Sequence, residues 1–238
     1  MTSDKLVIIP TYNEKENIEK MIRYVLGLND SYNILIIDDG SPDGTAAIVS
    51  SLMKEFPLSL FLIEREGKLG LGTAYITGFK WALERGYEYI CEMDADFSHN
   101  PDDLSRLFQA CVSGADMAIG SRYCEGIGIK DWPLKRVLLS YGASLYVRAA
   151  TGMKIYDSTA GFVCYTSKVL KTIDLDAIQM KGYGFQIEMK YNAFLHGFKI
   201  KEIPIIFTDR VCGVSKMSGS IFGEAFFGVL KLRFRKIK

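Results

Sequence analysis

Strand-like and helix-like segments alternate through the first half of this chain, and its strand segments are apolar almost from end to end. Lys5–Pro10 is a short apolar strand. Asn13 with Glu16 reads as a capping box opening a helix whose apolar face is Ile18, Met21, Ile22, Val25 and Leu26. Asn33–Ile37 is a second strand, followed by the turn Ser41-Pro42-Asp43-Gly44 and a helix to about Lys54. Leu58–Ile63, Leu71–Arg85 and Glu88–Met93 continue as strand, helix, strand, and a helix from Pro101 leads to strand Ala115–Gly120. This pattern predicts an α/β fold with a mostly parallel sheet covered on both faces. Ligands of such sheets gather at the carboxyl ends of the strands. The polar clusters Thr11–Glu14, Asp38–Asp43, Asp94–Asp96 and Ser121-Arg122 fall there.

The second half is less regular, with a helix around Leu134–Ala150, a hairpin-like Thr159–Tyr165, a helix near Phe185–Leu195 and a strand Lys199–Phe207. At 238 residues the chain fits one large domain, here 1–218, with 219–238 as a basic amphipathic helix. In that helix Ile221, Phe222, Ala225, Phe226, Val229 and Leu230 form one stripe, and Lys231, Arg235 and Lys238 lie on another side. Such a helix either lies in a membrane interface or packs on the core with a solvated basic tail. The apolar run Val137–Val147 is too short to span a bilayer, and the start of the chain predicts no secretory signal. Five cysteines without metal-like spacing suggest reduced thiols and a cytosolic setting, and a net charge of +1 gives no reason to expect nucleic acid.

Met93-Asp94-Ala95-Asp96, at the end of the fourth strand, carries the chemistry. On an extended backbone residues i and i+2 share a side, so Asp94 and Asp96 can converge on one hard cation. Mg²⁺ or Mn²⁺ held by one or two carboxylates keeps open positions for the oxygens of a diphosphate. The alternative is a solvated acidic turn. Other nucleotide chemistries lack their motifs. The turn after the first strand has no glycine, the GxG at Gly70-Leu71-Gly72 follows the third strand, and there is no P-loop, which excludes hydride transfer and ATP hydrolysis.

Several stretches together resemble the dolichyl-phosphate (polyprenyl-phosphate) mannosyltransferases, inverting glycosyltransferases of the GT-A fold. They are Ile8–Glu14, Ile37–Thr45, Lys68–Tyr75, Met93–His99, Gly120–Tyr123, Arg136–Ser140, Asp157–Phe162, Gly182–Phe185 and Phe207–Arg210. The resemblance covers nearly the whole chain in order. It implies mannose transfer from GDP-mannose to a polyprenyl phosphate, with inversion, on the cytoplasmic face of a membrane. By resemblance the donor site takes Pro10, Tyr12, Glu14, Ile37, Asp39, Asp94, Ala95, Asp96, Ser98, Lys181, Arg210 and Lys216. Asp94, Asp96 and Ser98 would hold Mg²⁺ or Mn²⁺, a hydroxyl being a weaker ligand than the amide found in some relatives. Arg122, Arg136 and Ser140 would meet the acceptor phosphate and, with Asp96, form the catalytic set. The alternative for Asp38 and Asp39 is turn capping before Ser41-Pro42, with Asp39 favoured as the ligand-facing member, and His99 reads as a structural histidine or a base.

No general base is obvious, and the reaction needs none. A lipid monophosphate with a second pKa of about 6 is mostly a dianion at neutral pH, so catalysis reduces to positioning and charge stabilisation. Arg210, Lys216 and the Gly213–Ser218 segment would close over the diphosphate. Many relatives carry C-terminal membrane spans; this chain resembles the short forms, which reach the bilayer through small partner subunits or an interfacial surface. Val137–Tyr146 and Phe222–Phe234 are the apolar candidates for lipid contact, with packing on the sheet as the alternative. Three other readings stay open: a UDP-sugar donor, a soluble acceptor deprotonated by Glu188, and a nucleotide-sugar-binding subunit without activity.

Overall fold

The computed structural model of the chain describes residues 3–180, 182–209 and 228–234. Its strands are β1 (Lys5–Thr11), β2 (Asn33–Asp38), β3 (Leu60–Glu64), β4 (Tyr89–Glu92), β5 (Met117–Ser121), β6 (Ile129–Lys130), β7 (Val163–Thr166), β8 (Ile200–Pro204) and β9 (Phe207–Thr208). Its helices are α1 (Ile18–Leu26), α2 (Thr45–Glu55), α3 (Leu71–Glu84), α4 (Asp103–Val112), α5 (Leu134–Thr151), α6 (Ser167–Thr172) and α7 (Tyr183–Leu195).

Seven strands form one sheet in the order β3-β2-β1-β4-β7-β5-β8, parallel except for β7, which runs antiparallel to both β4 and β5. The α/β expectation therefore holds. Successive residues of each strand point to opposite faces. Leu6, Ile8, Leu35, Ile37 and Ile90 enter one core, beneath α3, α6 and α7. Val7, Ile9, Ile34, Ile36 and Cys91 enter the other, beneath α1, α2 and α4. Burial on both faces is why these strands read as unbroken apolar runs. From β1 the chain winds outward to β2 and β3, then returns to β4 on the other side of β1. That reversal opens a crevice at the carboxyl ends of β1 and β4.

Several local expectations are corrected. Asn13 does not cap α1: it adopts φ 57° and its N–H donates to Ser41 Oγ, while α1 starts four residues later than the capping box implied. The β1–α1 turn is pinned from outside, by Ser41, Asp43 and Thr45 side chains accepting the N–H groups of Asn13, Lys15 and Glu14. Thr159–Tyr165 is no hairpin, because β7 inserts singly between β4 and β5. The expected strand Lys199–Phe207 breaks between Pro204 and Phe207, and β9 pairs instead with β6.

α5 is the larger surprise. Only Ser144, Val147 and Thr151 of its 18 residues are buried, while Leu134, Leu138, Leu139, Tyr141 and Leu145 are exposed. Packing on the sheet does not account for its apolar content. Of the C-terminal segment, residues 228–234 are helical, with Val229 and Leu232 buried in the first core and Leu230, Lys231 and Phe234 exposed. The rest of the expected 219–238 stripe, together with Arg235 and Lys238, lies outside the described residues.

Candidate active site

Thr11–Glu14 begins with the last residue of β1, Asp39 follows β2 and Asp94–Asp96 follows β4, so all three clusters meet at the crevice. The two aspartates after β2 do different work. Asp38 is fully buried and accepts from Thr11 Oγ1 (2.8 Å), Ser41 N (2.8 Å) and Ser41 Oγ (2.6 Å). It is the turn cap. Asp39 accepts from Arg65 Nε at 2.6 Å. Arg65 also donates to Thr73 Oγ1 (2.8 Å) and the Gly70 carbonyl (3.3 Å), fastening Asp39 to the loop that opens α3. Sequence reasoning missed Arg65, because a lone arginine 26 residues from its carboxylate leaves no local pattern.

Gly70 enters α3 at φ 103°, and at Gly72 an added Cβ would lie 2.8 Å from the Phe185 ring. The GxG is thus a close-packing device between α3 and α7. Tyr12 and Glu14 are half-buried beside this loop, with Lys68 Nζ 5.1 Å from the Tyr12 ring centroid and Asn17 Nδ2 donating to Glu14 (3.1 Å). The Ile37 side chain is buried in the core.

β4 ends at Glu92, so Asp94 and Asp96 stand on the turn beyond it rather than on the extended strand expected. Asp94 is the exposed member, with 41% of its side chain accessible. Asp96 is buried and accepts the Ser98 N–H (3.1 Å). The next residue, Phe97, takes φ 60°, which bends the chain so that His99 returns beneath Asp94. His99 Nδ1 accepts the Asp94 N–H at 3.3 Å, and its ring stacks on Phe162 (4.9 Å between centroids). Burial holds its pKa down at about 4, so it is a neutral support and not a base poised for catalysis.

Two carboxylates with only oxygen donors, one of them exposed, suit a hard divalent cation. Among the described residues no three His, Cys, Asp or Glu side chains converge on one point. A cation here would draw its remaining ligands from a diphosphate and water, as Mg²⁺ does.

On the other side of the crevice, Arg122 after β5 is buried and bound to Asp157, with Nε to Oδ2 at 2.7 Å and Nη2 to Oδ1 at 2.6 Å. Nη2 also donates to Thr159 Oγ1 (2.9 Å). Burial works to raise the Asp157 pKa, but the guanidinium prevails and holds it below the usual range. Asp157 is placed in turn by Glu202, whose two carboxylate oxygens accept the N–H groups of Tyr156 (2.8 Å) and Asp157 (2.9 Å).

Arg136, in the first turn of α5, lies 3.7 Å from the Trp132 ring centroid and donates to both oxygens of Asp209 at 3.1 Å. Ser140 is one turn further on, half-buried on the same face. Trp132 and Phe207 also face Arg122, at 5.8 Å and 5.5 Å. Phe207 touches His99 (5.3 Å), and Thr208 N donates to the Ser98 carbonyl (3.3 Å). Phe207 and Thr208 thus join the arginine cluster to the Asp94–Asp96 turn across the crevice. Lys181, Arg210 and Lys216 lie outside the described residues. Glu188 is fully buried and accepts the N–H groups of Gln179 (2.9 Å) and Met180 (2.7 Å), a structural role that removes it from substrate.

The family described as glycosyl transferase family 2 matches residues 6–174. The polyprenol monophosphomannose synthase of Mycolicibacterium smegmatis is 48% identical over 98% of this chain and 88% of that protein. The undecaprenyl-phosphate mannosyltransferase of Micrococcus luteus is 45% identical over 95% of this chain and 92% of that protein. Among solved structures, glucosyl-3-phosphoglycerate synthase from Mycobacterium tuberculosis superposes with a TM-score of 0.68 at 18% identity. That match covers 96% of this chain and 79% of that one, in a complex containing Mn²⁺ and UDP. A further structure of the same enzyme, with the same TM-score, contains Mg²⁺ and UDP.

Proposed function

This chain belongs to glycosyl transferase family 2, among its polyprenyl-phosphate mannosyltransferases, and from that premise we propose that it moves mannose from GDP-mannose to a polyprenyl phosphate with inversion. The observation that carries the reading is one crevice with a carboxylate turn for the donor diphosphate on one side and, joined to it through Phe207 and Thr208, a two-arginine cluster for a second phosphate on the other. A sugar-hydroxyl acceptor would need a base. His99 and Glu188, the two candidates, are both buried in structural bonds.

In this reading Glu14 and Asp39 bind the nucleoside, with Tyr12 offering a flat face to it, and Asp94 and Asp96 hold Mg²⁺ or Mn²⁺. The cation supplies neutralisation of charge on the leaving diphosphate. The acceptor phosphate binds at Arg136 and Ser140 beside Arg122, already ionised and so able to attack without proton transfer. One of its oxygens bonds to the anomeric carbon from the face opposite the nucleotide. The bond from that carbon to the diphosphate oxygen breaks, and its electron pair leaves with GDP. Arg122, held rigid by Asp157, contributes positive potential that costs no reorganisation when the acceptor arrives.

None of the described helices is long and apolar enough to cross a membrane. The exposed leucines of α5 begin within a turn of Arg136, so a polyprenyl chain leaving the phosphate would run onto them. We read that face as the side turned to the cytoplasmic surface of a membrane, where small partner subunits would also dock.

The deciding test is radiolabelled transfer from GDP-mannose, with UDP-glucose and UDP-N-acetylglucosamine in parallel, to a short polyprenyl phosphate plus Mg²⁺ or Mn²⁺. Metal-dependent mannolipid that disappears in Asp96→Ala supports the reading. Lipid product only from a UDP-sugar overturns the donor assignment, and no lipid product from any donor overturns the acceptor assignment.

A further inference from the structure

Beneath the crevice, on the face of the sheet covered by α3 and α7, lies a second polar system that the transfer chemistry does not touch. Glu92, Gln186 and Lys190 are each no more than 1% exposed. Gln186 and Lys190 are four residues apart on α7 and so share one helix face. Gln186 Nε2 donates to Glu92 Oε2 at 2.6 Å. Lys190 Nζ donates to the Ala160 carbonyl at 2.7 Å and to Gln186 Oε1 at 3.2 Å.

The two ends of this chain of bonds fall on opposite sides of the site. Glu92 is the last residue of β4 and leads through Met93 to Asp94. Ala160 belongs to the loop that begins at Asp157, the residue gripping Arg122. A second contact runs alongside. A Cβ added at Gly161 would lie 3.9 Å from His99 Cε1 and 4.0 Å from Gln186 Nε2. The loop therefore passes between the ring that supports Asp94 and the amide that holds Glu92.

Stability gives no reason to bury a lysine and a glutamate here, since burial disfavours the charged form of each. Such pairs are often matched or bettered by apolar residues of the same volume. What directional bonds add is placement. An apolar α7 would pack on the sheet without fixing how far the Asp157 loop stands from the end of β4.

We propose that Gln186 and Lys190 are positioning residues for transfer: α7 ties the Asp94–Asp96 turn to the Asp157–Ala160 loop and thereby sets where Arg122 stands relative to the donor. This rests on the function assigned above to those two clusters. The demand is strict, since reacting atoms must come within about 3–3.5 Å and a displacement of about 1 Å can cost about a hundredfold in rate.

The test uses the full chain with GDP-mannose, Mg²⁺ and a short polyprenyl phosphate, comparing wild type, Lys190→Met, Gln186→Leu and the double variant Glu92→Gln with Lys190→Met. The readouts are kcat, KM for the lipid phosphate, GDP-mannose affinity by calorimetry, and the thermal midpoint. In the single variants kcat should fall about 10–100-fold while donor affinity stays within about threefold. The double variant removes both buried ionisable groups together. It should regain thermal stability without regaining kcat, and it decides the matter even if Lys190→Met alone does not fold. Wild-type kcat in the double variant overturns the inference, as does donor affinity that falls in step with kcat. Unchanged transfer by the variants overturns the inference and leaves the function standing. A wild-type chain inert toward both substrates overturns the function, and this inference with it.

Discussion

Arg122 and Asp157 are joined three times over: the Arg122 backbone N–H and Nε both donate to Asp157 Oδ2, at 2.9 Å and 2.7 Å, and Nη2 donates to Oδ1 at 2.6 Å. The carboxylate thus fixes the main chain and the guanidinium of one residue together. Removing it strands a buried cation. Asp157→Ala should cost about 3–5 kcal/mol in urea denaturation and abolish transfer. Arg122→Lys keeps the charge but loses the planar fork, and should lower kcat by at least about tenfold.

Asp94 and Asp96 separate by exposure. Asp94→Asn should leave the urea midpoint nearly unchanged, because its side chain is 41% accessible, while removing the metal dependence of GDP-mannose binding. Asp96→Asn should lose the same metal dependence and also about 1 kcal/mol of stability, since Asp96 accepts the buried Ser98 N–H. Calorimetric titration with and without Mg²⁺ distinguishes the two effects. Metal-dependent binding that survives both substitutions would place the cation elsewhere.

Arg136 pairs with Asp209 where both side chains are about a third accessible, so their ion pair contributes little to stability. Arg136→Ala should therefore shift the thermal midpoint little. It should raise KM for the lipid phosphate about tenfold or more, with GDP-mannose affinity preserved. Arg136→Lys should recover only part of that, for want of a bidentate fork and a ring face to stack on Trp132.

His99 makes stability depend on pH. Its folded pKa is about 4, against an ordinary value of 6.5, so between these values the unfolded chain takes up a proton that the folded chain refuses. Its contribution is present above pH 6.5 and lost as the pH falls toward 4, amounting to about 1–3 kcal/mol across the window. In chelator, the wild-type thermal midpoint should fall more steeply from pH 7 to 4.5 than that of His99→Gln. Parallel curves would assign the acid sensitivity to other groups.

Much of the frame was legible from local pattern. Apolar strands alternating with amphipathic helices predicted the parallel sheet, and glycine, proline and carboxylate clusters marked the strand ends where Asp39, Asp94 and Asp96 now meet. Errors arose where a short motif competed with a distant partner. Asn13 and Glu16 carry a capping-box spacing, yet Ser41 takes the Asn13 N–H and delays the helix. Asp94 and Asp96 have strand spacing, yet β4 ends before them.

The sequence by itself determined the periodicities, and with them the sheet, its two buried faces and the strand ends where the polar clusters gather. Those follow from bonds and burial within a few residues of each position. Only the tertiary structure decided that Arg122 belongs to Asp157, that Arg65 belongs to Asp39, and that Lys190 reaches Ala160 through the core. It alone turned the leucines of α5 outward. Such partnerships depend on which segments the folded sheet brings side by side, and a charge or a leucine reads the same in sequence whichever partner it finds.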